Sequence, residues 1–260
     1  MKKVKNNNKN VKKDTSKKNK KKTILTFIIY LILFCILIYS GMKIYNWYKE
    51  NNTNKDIVDK INSSIAIENN NKYIVDFKSL KEQNSETVAW IKVNDTKVEY
   101  PIVKTQNNDF YLTHSFDKSD NSAGWIFADY RNKFDGIDKN IIIYGHNRRD
   151  DSMFGSLKKA LNSSWYDNQE NTDIIFKTEN ENCIYKVFSV YQIESEDYYI
   201  QTEFADETKF KEFEETIKKR SIKDFGIDVS EKDSILTLST CANNNKYRVV
   251  IHAKKTLEGE

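Results

Sequence analysis

Apolar residues along this chain fall into three kinds of pattern. Thr23–Met42 is an unbroken run without a charged residue, mostly Ile, Leu, Phe and Tyr. Wound as an α-helix, its 20 residues would span about 30 Å, the thickness of a bilayer's hydrocarbon core. Between Asn51 and Asn71, Ile57, Ile61 and Ile65 recur every four residues, which places them on one helical face. A second helical piece is predicted near Ile74–Gln83, with Phe77 and Leu80 inward. From Thr87 the period shortens to that of strands. The candidates are Val88–Val93, Lys97–Val103, Gly124–Ala128, Asn140–His146, Thr172–Lys177, Cys183–Ile193, Ser234–Thr240 and Lys246–Ala253. Such a series of short strands divided by polar turns predicts a mainly β fold, a closed eight-stranded barrel or a sandwich. Two helices interrupt it. Met153–Leu161 follows the strand ending at His146, and Asp206–Lys219 carries Phe210, Phe213 and Ile217 on one face. With 7 Gly and 1 Pro in the whole chain, Asn and Asp are expected to supply the left-handed backbone of many turns.

Charge divides the chain further. Residues 1–22 hold eleven Lys against Asp14 alone, a net +10, whereas the whole chain carries only +4. Residues 43–260 are therefore net acidic, which argues against nucleic acid as a partner. Lysines ahead of an apolar span keep that end in the cytoplasm, and Tyr45, Trp47 and Tyr48 stand where an interfacial belt belongs. A cleaved signal peptide is the rival reading. Its apolar stretch is usually shorter, however, and Tyr39-Ser40-Gly41-Met42 makes a poor cleavage site. The organisation expected is a cytoplasmic Lys-rich tail without structure (1–22), a membrane anchor (23–42), juxtamembrane and N-terminal helices (43–83) and a barrel (84–256) outside the membrane.

The chain has three His and three Cys. His114 lies in a loop-like stretch without an obvious partner and reads as a surface residue. His252, among Val and Ala in the last strand, reads as a satisfied structural histidine. His146 differs, because it ends the apolar strand Ile141-Ile142-Ile143-Tyr144-Gly145 and precedes polar Asn147-Arg148-Arg149-Asp150. Side chains so placed emerge at a barrel's lip, where sites are commonly assembled. Cys241 repeats that placement, closing Ile235–Thr240 before the polar turn Ala242-Asn243-Asn244-Asn245. Alternation sends Thr237, Ser239 and Cys241 to one face. The short turn makes the next strand an antiparallel neighbour and returns Arg248 towards Cys241. Cys35 falls inside the apolar span. For Cys183 and Cys241, a disulfide and two free thiols fit the count equally.

A thiol, a base and a permanent cation at three strand edges suit nucleophilic catalysis. A free thiol is roughly 3% thiolate at pH 7 and a free imidazole roughly a quarter protonated. If the two titrate independently, fewer than about 1% of molecules hold the thiolate–imidazolium pair. Mutual attraction or a slow reaction from that minor population meets the need, since thiolate is intrinsically a strong nucleophile. A guanidinium supplies what the pair lacks, a fixed charge for an oxyanion.

Thr237-Leu238-Ser239-Thr240-Cys241 with Arg248 after it, and Tyr144-Gly145-His146-Asn147 upstream, resembles the sortases, membrane-anchored cysteine transpeptidases of Gram-positive surfaces. The resemblance covers about Phe77 to Ala253. It includes Ala89-Trp90-Ile91, Val98-Glu99-Tyr100-Pro101-Ile102-Val103, Asn108-Asp109-Phe110-Tyr111-Leu112, Gly124-Trp125-Ile126-Phe127 and Ser152-Met153-Phe154-Gly155-Ser156-Leu157. The helices before the barrel and the long helix before the cysteine strand are most like class B. Ala242, where some class B members carry an acid, and the short Cys241-to-Arg248 turn depart from the pattern. The resemblance implies a sortase-like eight-stranded barrel; no cofactor or metal is expected, since the sequence shows no metal-ligand cluster and its carboxylates do not gather at Ca²⁺-loop spacing. Cys241 would attack a C-terminal pentapeptide sorting signal of a secreted protein, His146 would protonate the leaving amine, and Arg248 would hold the oxyanion or the substrate backbone. A peptidoglycan amine, or that of a precursor, would then accept the protein. By the same resemblance Asn108, Leu112, Tyr144, Tyr199, Ile200 and Ser239 line the peptide groove. The alternatives are a sortase specialised for hydrolysis or pilin polymerisation, and a non-catalytic wall-binding module with a Cys183–Cys241 disulfide.

Overall fold

A computed structural model describes residues 8–68, 72–241 and 246–256 of the chain. It divides into two units, Met1–Lys49 and Glu50–Glu260. Helix α1, Asn8–Asn62, supplies the described part of the first unit. Its large apolar side chains from Ile24 to Tyr48 are exposed. Among the described residues it is the one helix long and apolar enough to cross a membrane. Asn8–Lys22, expected to lack structure, is helical. Lysine loses little rotamer freedom in a helix, and the adjoining apolar run provides a nucleus from which helix propagates at low cost. Residues 1–7 of the tail lie outside the described residues.

In the second unit, α1 ends at a turn in which the Ser63 and Ser64 amides donate to the Lys60 and Ile61 carbonyls (3.3 and 2.8 Å). Ile65 consequently does not share the helical face of Ile57 and Ile61. It begins β1 (Ile65–Glu68), which pairs with β2 (Lys72–Val75), and Ile74 lies in β2 rather than in a helix. Spacing by four cannot distinguish these structures, but the β-branched and aromatic residues Ile65, Ile67, Tyr73, Ile74 and Val75 favour paired strands. Helix α2 (Phe77–Gln83) starts at Asp76, whose carboxylate accepts from the Ser79 amide (3.0 Å), and buries Phe77 and Leu80.

The remaining strands are β3 (Thr87–Val93), β4 (Glu99–Val103), β5 (Phe127–Ala128), β6 (Asn140–His146), β7 (Asp173–Lys177), β8 (Asn182–Glu194), β9 (Ile235–Cys241) and β10 (Tyr247–Thr256). They close into a barrel in the order β10-β8-β7-β3-β4-β5-β6-β9. β5 is shorter than the expected Gly124–Ala128: Gly124 sits at φ +60°, outside extended backbone, and the Trp125 amide donates to the Tyr111 carbonyl (2.9 Å) instead of to a strand. Left-handed backbone at Asp95 and Asp151 fits the expected use of Asp, but Lys118, Phe134 and Met153 adopt it as well. Met153 for that reason stands outside the helix expected from it, which is a 3₁₀ turn over Gly155–Leu161. A single α turn, α3 (Ser163–Tyr166), follows.

β6 and β9 are parallel, while β10 runs antiparallel to both β9 and β8. The ends of β6 and β9 and the start of β10 therefore share one rim. Helix α4 (Glu207–Lys219) is capped by Asp206, whose carboxylate accepts from the Lys209 amide (2.8 Å). Its Phe210, Phe213 and Ile217 are buried in a second apolar cluster with Phe188, Tyr191, Ile193, Tyr199 and Val250. At about 2 kcal/mol for each buried side chain, this face anchors the whole connection from β8, which carries Tyr199 and Ile200.

His252 is fully buried in β10 and satisfied as the sequence suggests. Thr237 donates its hydroxyl to Asn140 Oδ1 (2.6 Å), so it accepts from His252 Nδ1–H (2.8 Å). Nε2 then accepts from the Tyr191 hydroxyl (2.8 Å). This chain of bonds needs a neutral ring, and burial pushes its pKa down to about 3 from 6.5. Between those values the unfolded chain binds a proton that the folded one refuses, so stability falls as pH drops through that window. Thermal unfolding of the full chain should show a loss of about 1 kcal/mol per pH unit there, and His252→Gln should flatten that slope. A wild-type slope unchanged by the substitution would remove His252 from the acid response.

Candidate active site

The parallel ladder between β6 and β9 pairs Tyr144 with Ser239, Gly145 with Thr240 and His146 with Cys241. β10 returns with Val250 opposite Ser239, which carried two residues further sets Arg248 at the level of Cys241. The Arg248 guanidinium donates from Nη1 to the Thr240 carbonyl (3.3 Å) and from Nη2 to Ser195 Oγ (3.1 Å). Thr240 Oγ1 also accepts from the Val249 amide (2.9 Å), which binds the two strand ends together. Ala242 and Asn243–Asn245, the turn on which the sequence departs from the class B pattern, lie outside the described residues.

His146 is half-buried, and its Nε2–H donates to the Leu112 carbonyl (2.7 Å). A carbonyl only accepts, so this contact assigns the proton to Nε2 and leaves Nδ1 as the basic nitrogen of the neutral ring. Leu112 closes the 3₁₀ turn Phe110–Leu112. Gly124 makes room for the ring, and Gly145 makes room for the apolar side chains packed beside this strand end. A Cβ on Gly124 would stand 2.9 Å from His146 Cδ2 and 2.5 Å from the Tyr111 carbonyl oxygen, at a positive φ besides. A Cβ on Gly145 would strike Ile126 and Phe154.

The six residues expected to line a groove fall into two hydrogen-bonded sets and one backbone contact. Asn108 Nδ2 (3.0 Å) and the Tyr144 hydroxyl (2.9 Å) both donate to Asp129 Oδ2. The Ile200 carbonyl accepts from Arg131 Nη2 (3.0 Å), which also donates to Asp129 (2.7 Å). Tyr199 and Ser239, both fully buried, meet through their hydroxyls at 2.9 Å. Leu112 enters through its carbonyl on His146. Asn108, Leu112 and Ile200 are partly exposed.

Sequence reasoning missed Asp129 and Arg131. Asp129 has no exposed surface, and burial opposes its charge. Hydrogen bonds from Arg131 and Tyr144, with the Arg131 charge, overcome that and hold the carboxyl below its ordinary range. Burial first, and the Asp129 charge second, push the Tyr144 phenol well up. In the sequence, Asp129-Tyr130-Arg131 follows the apolar stretch Trp125–Ala128, which marks the end of a strand but not which of these polar residues is buried.

His114 is not the unpartnered surface residue expected. It stacks on Phe110 at 3.9 Å, with Nδ1 on the Phe110 carbonyl (2.7 Å) and Nε2 by Asp120 (3.2 Å). Cys183 is buried with a free thiol, 3.6 Å from Glu181. It pairs with Phe176 near the start of β8, at the end of the barrel opposite Arg248. A cavity lined by Phe176, Glu181, Ser234 and Lys255 lies at that far end too, away from His146. Among the described residues no cluster of His, Cys, Asp and Glu could hold a metal ion.

A Sortase domain model matches residues 91–256, the span that contains the whole barrel rim just described. The chain belongs to the sortase family. It is 35% identical to Sortase B of Listeria monocytogenes over 86% of this chain and 94% of that protein. A crystal structure from Bacillus anthracis, described as similar to sortase B, superposes with a TM-score of 0.71 at 34% identity, covering 83% of this chain and 99% of that one. The Staphylococcus aureus sortase B–substrate complex gives a TM-score of 0.66 at 29% identity over 84% and 97%. Sortases are cysteine transpeptidases, and this one is most like class B. The closed barrel chosen by its strands is the sortase barrel. In this sortase Gly124→Ala should shift the His146 ring and cost about 2 kcal/mol of stability through overpacking. Thermal unfolding and Cys241 alkylation rates check this, and wild-type values for both would show that the space under His146 is not needed.

Proposed function

We propose that this sortase uses Cys241, His146 and Arg248 to move a secreted protein from its C-terminal sorting signal onto a peptidoglycan amine. The pairing of His146 with Cys241 across the parallel ladder, with Arg248 on the neighbouring Thr240 carbonyl, is the observation that supports it most. The Cys241 thiolate attacks the carbonyl carbon of the scissile peptide bond within the pentapeptide. A C–S bond forms, and the carbonyl electrons move to an oxyanion that Arg248 stabilises. The C–N bond then breaks, and the amine leaves with the proton that His146 took from the Cys241 thiol when the thiolate formed. Nε2–H is engaged by Leu112, so Nδ1 is the nitrogen that shuttles the proton. The acceptor amine, from peptidoglycan or its precursor, gives its proton to His146, attacks the thioester and releases Cys241. No cofactor or metal enters these steps.

Asn108, Leu112, Tyr144, Tyr199, Ile200 and Ser239 shape the peptide groove, with Tyr199 and Ser239 acting from beneath as a buried support. The exposed apolar part of α1 anchors the enzyme as a single membrane span through residues 23–42, with the Lys-rich tail cytoplasmic and the barrel outside. The rival wall-binding module held by a disulfide is disfavoured by the free thiol of Cys183.

Incubating the full chain in detergent with a panel of sorting peptides, read by mass spectrometry, tests the chemistry. Wild type should form a thioacyl adduct that an added amine resolves, and Cys241→Ala should form none. Arg248→Lys keeps the charge but loses the planar fork, and should lose activity by about tenfold or more. Cys183→Ser, at the opposite barrel end, should leave rates unchanged. Turnover by Cys241→Ala, or a folded but inactive Cys183→Ser, would overturn the assignment of the nucleophile.

A further inference from the structure

We infer that Asp129 is the positioning residue of the peptide groove: with Arg131, its carboxylate holds Asn108, Tyr144 and the Ile200 backbone in the one arrangement that receives the sorting peptide. The inference rests on the groove reading above. A carboxylate with no exposed surface is retained only when it is fully paired. Oδ2 accepts from Asn108 Nδ2 (3.0 Å), the Tyr144 hydroxyl (2.9 Å) and Arg131 Nη2 (2.7 Å). Oδ1 accepts from Arg131 Nε (2.8 Å) and the Arg131 amide (3.0 Å). Arg131 Nη2 then reaches the Ile200 carbonyl (3.0 Å), and Asn108 Oδ1 accepts from the Tyr130 amide (3.0 Å).

Three stretches distant in sequence are thereby tied to one charge: the approach to the 3₁₀ turn, the end of β6, and the connection from β8 to α4. A charge-assisted fork of this kind fixes direction as well as distance, which apolar packing does not. Tyr144 is two residues before His146 and pairs with Ser239, itself two before Cys241. On a strand, two residues is one step along the same face, roughly 7 Å. Tyr144, which the hub holds by its hydroxyl, is thus one step from the paired residues, and Asp129 acts through groove residues rather than on the reacting atoms. Its charge does not change over the working pH range, since the carboxyl lies below its usual range and the phenol above.

Asp129→Asn keeps the shape and removes the charge. In the full chain in detergent, KM for a sorting peptide should rise about tenfold, the effect of one lost charge-assisted bond, with kcat little changed. Alkylation of Cys241 by iodoacetamide should match wild type. Amide hydrogen exchange should quicken in 107–112 and 199–202 and not in β8 or β10. Arg131→Lys should give the same pattern in smaller size, and Asn108→Ala should add nothing to Asp129→Asn. An unchanged KM in an enzyme that turns over peptide overturns the inference. So does exchange that quickens throughout the barrel with loss of alkylation, which marks a residue of general stability. If wild type turns over no sorting peptide, the groove reading fails, and the exchange pattern by itself decides whether Asp129 holds these segments.

Discussion

Parallel pairing of β6 with β9 is the constraint on which the site depends. Residues from distant parts of the chain meet only if both strands end at the same rim. An antiparallel pairing would put Cys241 at the opposite end of β6 from His146. Parallel neighbours need a long crossover, and the chain supplies it with everything from Asn147 to Ser234. The 3₁₀ turn Gly155–Leu161, α3, β7, β8 and α4 are in this sense the means by which β9 arrives in the same direction as β6. Once it does, β10 needs only a short turn to bring Arg248 back to that rim.

The strands that carry the site are held from inside by polar groups, and two devices do this differently. Thr237 on β9 joins His252 on β10 to Asn140 on β6 through a neutral chain of hydrogen bonds, which works only while the ring is unprotonated. Asp129 uses a permanent charge, paired with Arg131, to collect Asn108 and Tyr144. Both explain polar residues where a purely structural strand would be aliphatic. Thr237 and Ser239 alternate along β9 and are fully buried, and each has a hydrogen-bonding partner from another element.

Most of the barrel was legible because a strand half-buried in a barrel writes its period into the sequence. The strand ends at His146 and Cys241 were legible for a related reason: packing alone gives an apolar run no cause to stop at a chemically capable residue just before a polar turn. Arg248 followed from counting back across that turn. Ile65 was misplaced because a four-residue spacing satisfies a helix and says nothing of the Ser63-Ser64 turn that interrupts it. Asp129 was missed for a deeper reason. The chain has many Asp, and which one is buried is decided by Asn108, Tyr144 and Arg131 closing around it. No local pattern records that closure. Likewise the partners of His114 come from a stack and a turn formed only in the fold.

The juxtaposition of His146 and Cys241 can be measured without any substrate. Neighbouring strands lie about 4.8 Å apart, within the roughly 4.4–6.8 Å that a disulfide spans between Cα atoms. In the chain with Cys35 and Cys183 replaced by Ser, His146→Cys should cross-link to Cys241 under mild oxidation, seen as an internal disulfide by mass spectrometry. Two thiols that stay separately alkylatable in the folded protein would contradict the account at its base.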